Sequence, residues 1–328
     1  MAVPPKVDPS RPCGVLLDPG HGTGAKLDQA GKADLLGMYV RHAKEAGLGD
    51  WLVVRTEIIE QVGAGGLAGD WPEERITPLF EACLRDLATR WPVDPDRLIV
   101  AGLSQTGFWA WELGAAHPGR WLGIAPMSAV TWQVRKRLDA LRTTPVWVAH
   151  GDADRTCPVG QPRATCARLE RDGATVTYVE VPGAGHEYAV WSHLPAGLKE
   201  LTSRPRERHP RSISFAVQTL RQAWCHWLRL EAIDTEGTGK AGADWAAAID
   251  AEIDGNRVTL ASSGVQRVRV TLGPELVDLA QPVTVTWNGT VVHDGPVAPS
   301  FAALLANAAE TADWAAACPV SLLLDAPK

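Results

Sequence analysis

Residues 97–107 read Arg97-Leu98-Ile99-Val100-Ala101-Gly102-Leu103-Ser104-Gln105-Thr106-Gly107. An apolar run bounded by turn residues predicts a buried strand. Phe108 to Ala116 then has the composition of a helix. A serine between a strand and a helix sits on a sharp turn. Its Oγ projects above the sheet edge, and the N–H groups of the helix start face the same space. The usual pattern there is G-x-S-x-G. Here Thr106 stands in place of the second glycine, and Gly107 follows one position later. Such a turn needs small residues because its backbone approaches the neighbouring strand. Thr106 is therefore a departure, and an ordinary helix N-cap is the competing reading of Ser104.

Outward from this turn, apolar runs predict further strands at 14–18, 51–54, 121–125, 146–149 and 175–181. Helical spacing predicts helices at 30–46, 75–90, 160–171 and 187–200. Strands alternating with helices imply βαβ units and a parallel sheet. The strands are continuous apolar runs, as expected when both faces of a sheet are covered. After about residue 203 the character changes, and Ser203 to Arg211 is charged and contains two prolines. Beyond it strands are expected at 212–217, 224–231, 256–261, 265–272, 282–287, 290–293 and 319–324, with a helix near 299–309. Asn288-Gly289, between Val283–Trp287 and Thr290–Val292, accepts the positive φ of a type I′ hairpin turn. The expected organisation is an α/β domain over 1–203, a linker over 204–211 and a β-sandwich-like domain over 212–328.

Composition narrows the function classes. The chain has 328 residues, about two domains' worth, with 45% hydrophobic and 21% charged residues. A net charge of −6 argues against a nucleic-acid partner, which needs a basic face. No run of 18 apolar residues occurs, so no membrane span is expected. Residues 1–14 lack the apolar core of a signal peptide, which points to the cytoplasm as the sequence stands, or to secretion after removal of a leader. The six cysteines form no C-x-x-C pair and no zinc spacing, so no metal is expected. Cys157 and Cys166 are the one candidate disulfide; the simpler reading is six reduced thiols. Tryptophan is over-used, 14 against 3 Tyr and 4 Phe, and most should be core. Trp71, Trp132 and Trp191 fall in segments beside the expected cleft, where packing is the stronger reading and substrate contact the other.

A serine nucleophile needs a base to take its proton and an acid to orient that base. On an α/β sheet of this kind the order is Ser, then Asp or Glu, then His. The strand Val146–Ala149 is followed by His150-Gly151-Asp152-Ala153-Asp154, and Tyr178–Val181 by Pro182-Gly183-Ala184-Gly185-His186. All three residue types thus occur in order at strand ends. His150 reads as support for the acid loop. The loop Gly20-His21-Gly22-Thr23-Gly24 lacks the Gly-Lys-Ser/Thr of a phosphate loop, so nucleotide binding is not expected.

Three stretches carry a family resemblance: DPDRLIVAGLSQTGFWAWELGAAHP (94–118), PVWVAHGDADRTCPV (145–159) and VPGAGHEY (181–188). With them, residues 14–200 resemble the α/β-hydrolase superfamily, and within it the dienelactone-hydrolase and phospholipase/carboxylesterase-like esterases. The resemblance implies an α/β-hydrolase fold with nucleophile Ser104, acid Asp154 rather than Asp152, and base His186. It also implies an oxyanion hole from the N–H of Gln105 and one from the loop 21–24, with Gly22 or Thr23 as donor and Thr23 preferred. No cofactor is implied. The expected activity is hydrolysis of small or polymeric carboxylic esters through an acyl-enzyme. The stretch ELVDLAQPVTVTWNG (275–289) resembles the β-domain appended to some bacterial hydrolases of this sort. Two other classes stay open: a serine peptidase of the same fold, and a non-catalytic binding or scaffold protein working through its β-domain.

Overall fold

A computed structural model describes residues 1, 8, 10–20, 29–56, 73–131, 137–217, 219–220, 223–234 and 246–327. The chain divides into two compact units. The first is Met1–Ala115 with Arg120–Arg135 and Thr144–Arg206; the second is Ala116–Gly119 with Lys136–Thr143 and Glu207–Lys328.

The first unit is built on six strands: β1 (Cys13–Asp18), β2 (Leu52–Arg55), β3 (Val93–Leu103), β4 (Gly123–Met127), β5 (Val146–Gly151) and β6 (Val176–Val181). They form one sheet in the order β2-β1-β3-β4-β5-β6, and every pairing is parallel. The connecting helices are α1 (Gln29–Glu45), α2 (Glu73–Arg90), α3 (Gln105–Ala116), α4 (Gly160–Arg171) and α5 (Leu194–Leu201). This is an α/β fold, a wholly parallel sheet with helices between its strands. Every residue of β1, β4 and β5 is buried, which is why these strands read as unbroken apolar runs. Tyr39 and Ala43 of α1 join Leu194 and Leu198 of α5 over Leu16, Ile99, Ala125 and Trp147 of the sheet, forming one core.

Three departures from expectation fall at prolines. β3 begins four residues before Arg97, at Val93, and contains Pro95. There it pairs β1 across a bulge between Cys13 and Val15, and its pairing with β4 begins only at Ile99, so Pro95 removes no ladder bond on that side. β4 runs through Pro126 rather than ending at Ala125. The expected helix over 187–200 is instead a 3₁₀ turn, Tyr188–His193, followed by α5, in which Pro195 occupies the first turn.

The second unit holds two sheets. One has the order β14-β13-β11-β10-β7 and the other β15-β12-β9-β8. Their strands are β7 (Ser212–Val217), β8 (Trp224–Cys225), β9 (Leu228–Ile233), β10 (Ala247–Asp254), β11 (Arg257–Ser263), β12 (Val265–Leu272), β13 (Val283–Trp287), β14 (Thr290–Gly295) and β15 (Val320–Asp325). Their inner faces meet in one core that includes Ile213, Phe215, Ile249, Leu260 and Trp287 from the first sheet and Leu230, Val268, Val270 and Leu324 from the second. Among the described residues the unit is therefore a β-sandwich that carries an α-helix, α6 (Phe301–Thr311), capped by the Ser300 side chain, which accepts from the Ala303 N–H. Strand β10 was not expected from sequence. Its outward residues are Ala248, Asp250, Glu252 and Asp254, and its inward ones alternate Ala and Ile, a composition poor in strand formers. The β13–β14 turn carries Asn288 at φ 48° and Gly289 at φ 82°, as a type I′ hairpin requires.

Candidate active site

Ser104 stands between the end of β3 and the start of α3, at φ 58°. A non-glycine residue in this region is strained, and it persists only where its surroundings over-determine it. Two glycines supply much of that constraint. A Cβ on Gly102 would lie 2.3 Å from the carbonyl carbon and oxygen of Thr106. One on Gly107 would lie 2.7 Å from Ala129 Cβ and 2.9 Å from the Met127 carbonyl oxygen. The close approach therefore falls at positions 102 and 107. Position 106 can hold a side chain, which resolves the departure noted in the sequence. Thr106 is buried, and its hydroxyl oxygen accepts from the Leu103 N–H at 2.9 Å across the turn. The Ser104 N–H donates to the Met127 carbonyl at 2.9 Å, holding the turn to β4.

The loops that follow β5 and β6 are joined by backbone contacts. A Cβ on Gly151, the last residue of β5, would meet the Ala184 carbonyl oxygen at 2.2 Å. The Ala153 N–H donates to that same carbonyl at 3.0 Å, and the Gly183 N–H donates to Asp152 Oδ1 at 2.7 Å. These contacts bring His186 beside Asp154. His186 Nδ1 lies 2.8 Å from Asp154 Oδ2, and His186 Nε2 lies 2.8 Å from Ser104 Oγ. A carboxylate only accepts, so Nδ1 carries the proton and Nε2 faces the hydroxyl as acceptor. The Asp154 side chain is wholly buried, whereas that of His186 is 23% exposed. Asp154 Oδ1 accepts from the Thr156 N–H at 2.8 Å and the Cys157 N–H at 2.7 Å. The carboxylate is thus fixed on one oxygen by backbone and directed at the imidazole with the other.

His150 lies beside Asp154. Its Nε2 contacts the Cys157 carbonyl oxygen at 2.7 Å and Asp154 Oδ2 at 3.5 Å. The carbonyl can only accept, so Nε2 is the protonated nitrogen. Nδ1 is buried with no hydrogen-bond partner among the described residues. Protonating Nδ1 would bury an unpaired donor, and burial accordingly lowers the His150 pKa below the usual imidazole value. Cys157 and Cys166 are free, buried thiols, and burial pushes the Cys157 thiol up to about 11.

Of the other residues singled out from sequence, Gln105 opens α3 directly after Ser104, placing its backbone N–H at the helix N-terminal end. Thr23, Trp71 and Trp132 lie outside the described residues. Trp191 is 4% exposed and belongs to the core, edge-on to Tyr39 with ring centroids 4.9 Å apart. Tyr188 stacks on its other side at 5.3 Å and is 63% exposed. Tyr188 is thus an exposed aromatic side chain, two residues after His186 in the chain. Among the described residues no group of three His, Cys, Asp or Glu side chains is placed to hold a metal, and no helix is long and apolar enough to cross a membrane.

No protein-family model and no curated protein matches the chain. Among solved structures it is similar to esterase PE8, with 20% identity over 62% of this chain and 96% of that one, at a TM-score of 0.47. It is similar to SOBER1 of Arabidopsis thaliana, with 17% identity over 58% of this chain and all (100%) of that one, at a TM-score of 0.47. It is also similar to a carboxylesterase of Bacillus cereus, with 19% identity over 60% of this chain and 90% of that one, at a TM-score of 0.46. Each is a likeness in backbone arrangement.

Proposed function

We propose that the chain is a serine hydrolase of carboxylic esters, with Ser104 as nucleophile, His186 as general base and Asp154 as the acid that orients it. The observation that carries this reading is the unbroken chain of two 2.8 Å contacts from Ser104 Oγ through His186 to Asp154, on a positive-φ turn at the end of a parallel strand. The Ser104 Oγ–acyl carbon bond forms as His186 Nε2 takes the hydroxyl proton. The imidazolium is then held between Asp154 and the developing tetrahedral centre. The N–H of Gln105, together with Thr23, receives the oxyanion. The carbon–oxygen bond to the alcohol breaks as Nε2 returns the proton to it. Water, deprotonated by the same nitrogen, then releases the acid and restores Ser104. This sequence needs no cofactor. The catalytic part is 1–203, joined through 204–211 to the β-domain, 212–328.

The test is hydrolysis of p-nitrophenyl acetate, butyrate and octanoate by the wild type and by Ser104→Ala, with an organophosphonate as covalent probe. The wild type should turn over and form one adduct at Ser104, and the variant should lose on the order of 10³-fold or more in kcat with no adduct. A wild type that neither turns over nor labels overturns the reading and favours a binding role for the β-domain.

A further inference from the structure

Two imidazoles approach the same carboxylate oxygen, and the reaction above uses one of them. Asp154 Oδ2 lies 2.8 Å from His186 Nδ1 and 3.5 Å from His150 Nε2. His150 belongs to β5 and is fully buried. Its Nε2–H donates to the Cys157 carbonyl oxygen at 2.7 Å. Its Nδ1 is buried with no hydrogen-bond partner among the described residues. The ring therefore exchanges no proton with a substrate, and its one strong bond goes to the backbone of the loop that carries Asp154. Cys157 is where two sets of bonds meet. Its N–H donates to Asp154 Oδ1 at 2.7 Å, and its carbonyl accepts from His150. The second donor to Oδ1, the Thr156 N–H at 2.8 Å, precedes it in the same loop.

We infer that His150 is a positioning residue for Asp154: through its Nε2–H bond to the Cys157 carbonyl it anchors the Asp154 loop to β5 and so aims Asp154 Oδ2 at His186 Nδ1. The argument is one of constraint. The N–H groups of Thr156 and Cys157 fix the carboxylate relative to residues 156 and 157, and leave open where those residues stand relative to the sheet. The backbone bonds of the first half of the loop, Ala153 N–H to the Ala184 carbonyl at 3.0 Å and Asp154 N–H to the Gly151 carbonyl at 3.3 Å, hold the chain before the carboxylate's donors. His150 holds the half that contains them. Burial of the Cys157 side chain packs that half, but packing sets no direction, whereas a hydrogen bond does. Burial also lowers the His150 pKa, which keeps the ring neutral and leaves the charge of Asp154 to His186. The inference rests on the ester-hydrolase reading for its catalytic consequence, though the anchor itself can be tested without it.

The experiment compares His150→Gln, whose amide can reach the Cys157 carbonyl as Nε2 does, with His150→Phe, which keeps a ring and removes the donor. Active-site titration with the phosphonate normalises for folded enzyme. His150→Phe should lower kcat on p-nitrophenyl butyrate on the order of 10–100-fold with KM within about twofold, and His150→Gln should stay within about fivefold of wild type, since small misplacement of a reacting group costs this much. A structural role alone would lower thermal stability and leave the kcat of the titrated sites unchanged, which overturns the inference. Proton NMR supplies the readout independent of activity. The downfield proton of the His186–Asp154 bond should persist in wild type and His150→Gln and be shifted or lost in His150→Phe; an unshifted signal in His150→Phe overturns the anchor. Should His150→Phe fail to accumulate, His150→Asn, whose shorter amide falls short of the carbonyl, is read in the same way. Nitrogen-15 spectra of the wild-type histidines need no variant: they should show His150 neutral and protonated at Nε2, and protonation at Nδ1 alone overturns the inference. If wild type neither turns over nor labels, the esterase reading fails while the NMR results still decide the anchor.

Discussion

The two units place their polar groups by opposite rules. In the first, β1, β4 and β5 are buried at every position, so polar chemistry is pushed to strand ends: Asp18 closes β1, Ser104 follows β3, and Asp154 and His186 follow β5 and β6. In the second, β10 alternates buried and exposed, with Ala247, Ile249, Ala251 and Ile253 inward and acidic residues among the outward ones. Strand β11 likewise alternates, with Arg257, Thr259 and Ala261 exposed and Val258 and Leu260 buried. A sheet covered on both faces has only its rim left for function, and a sandwich has its outer faces. The parallel sheet also turns every strand's C-terminal end the same way, which is how residues far apart in sequence converge.

The largest expected effect tests the convergence at that rim. Asp154→Asn should keep the shape of the site but invert the hydrogen-bond demand on His186 Nδ1, lowering kcat on the order of 10³–10⁴-fold with a small change in melting temperature. A loss below tenfold would remove Asp154 from the proposed triad. Next is a contrast between two glycines. Gly102→Ala forces a methyl group into the Thr106 backbone and should cost about 3 kcal/mol in chemical denaturation. Gly289→Ala, at φ 82° with nothing within 4 Å of the new Cβ, should cost only about 1 kcal/mol. Equal costs would mean that the turn at Gly102 shifts to accommodate the methyl group and that the close contact there is not a strong constraint.

A third pair probes the strands themselves. Val100→Thr puts a hydroxyl where β3 is fully buried and should cost about 1–3 kcal/mol. Thr259→Val on the exposed face of β11 should stay within about 0.5 kcal/mol. The smallest effect is a slope. His150 is held neutral in the folded protein with its pKa lowered by burial, so the unfolded chain binds the extra proton first. Stability should be fully present above the unfolded value of 6.5 and fall as pH drops below it toward the lowered folded value. His150→Gln should flatten this part of the pH–stability curve; an unchanged slope would show that His150 is protonated where it lies.

Much of this was open to reading along the chain. Continuous apolar runs mark buried parallel strands because no face of them meets water, and the Ser, Asp and His at their ends stand out against that background. The Asn288-Gly289 hairpin was equally local, since its positive φ values demand those residue types. Prolines blurred the boundaries at 95, 126 and 195, because their cost depends on whether a neighbouring strand needs the missing N–H. β10 was hidden by its acidic outer face, which only pairing with β7 and β11 makes a strand. At the site, tertiary structure decided matters that spacing leaves open. Asp154 bonds His186 while Asp152, two residues away, bonds the Gly183 N–H. Trp191 lies in the core and Tyr188 outside it. Thr106 fits because the tight contacts fall on Gly102 and Gly107. Local residue types record what a segment can do with its own backbone and with water; which partner it meets depends on contacts tens of residues away, and those exist only once the sheet has formed.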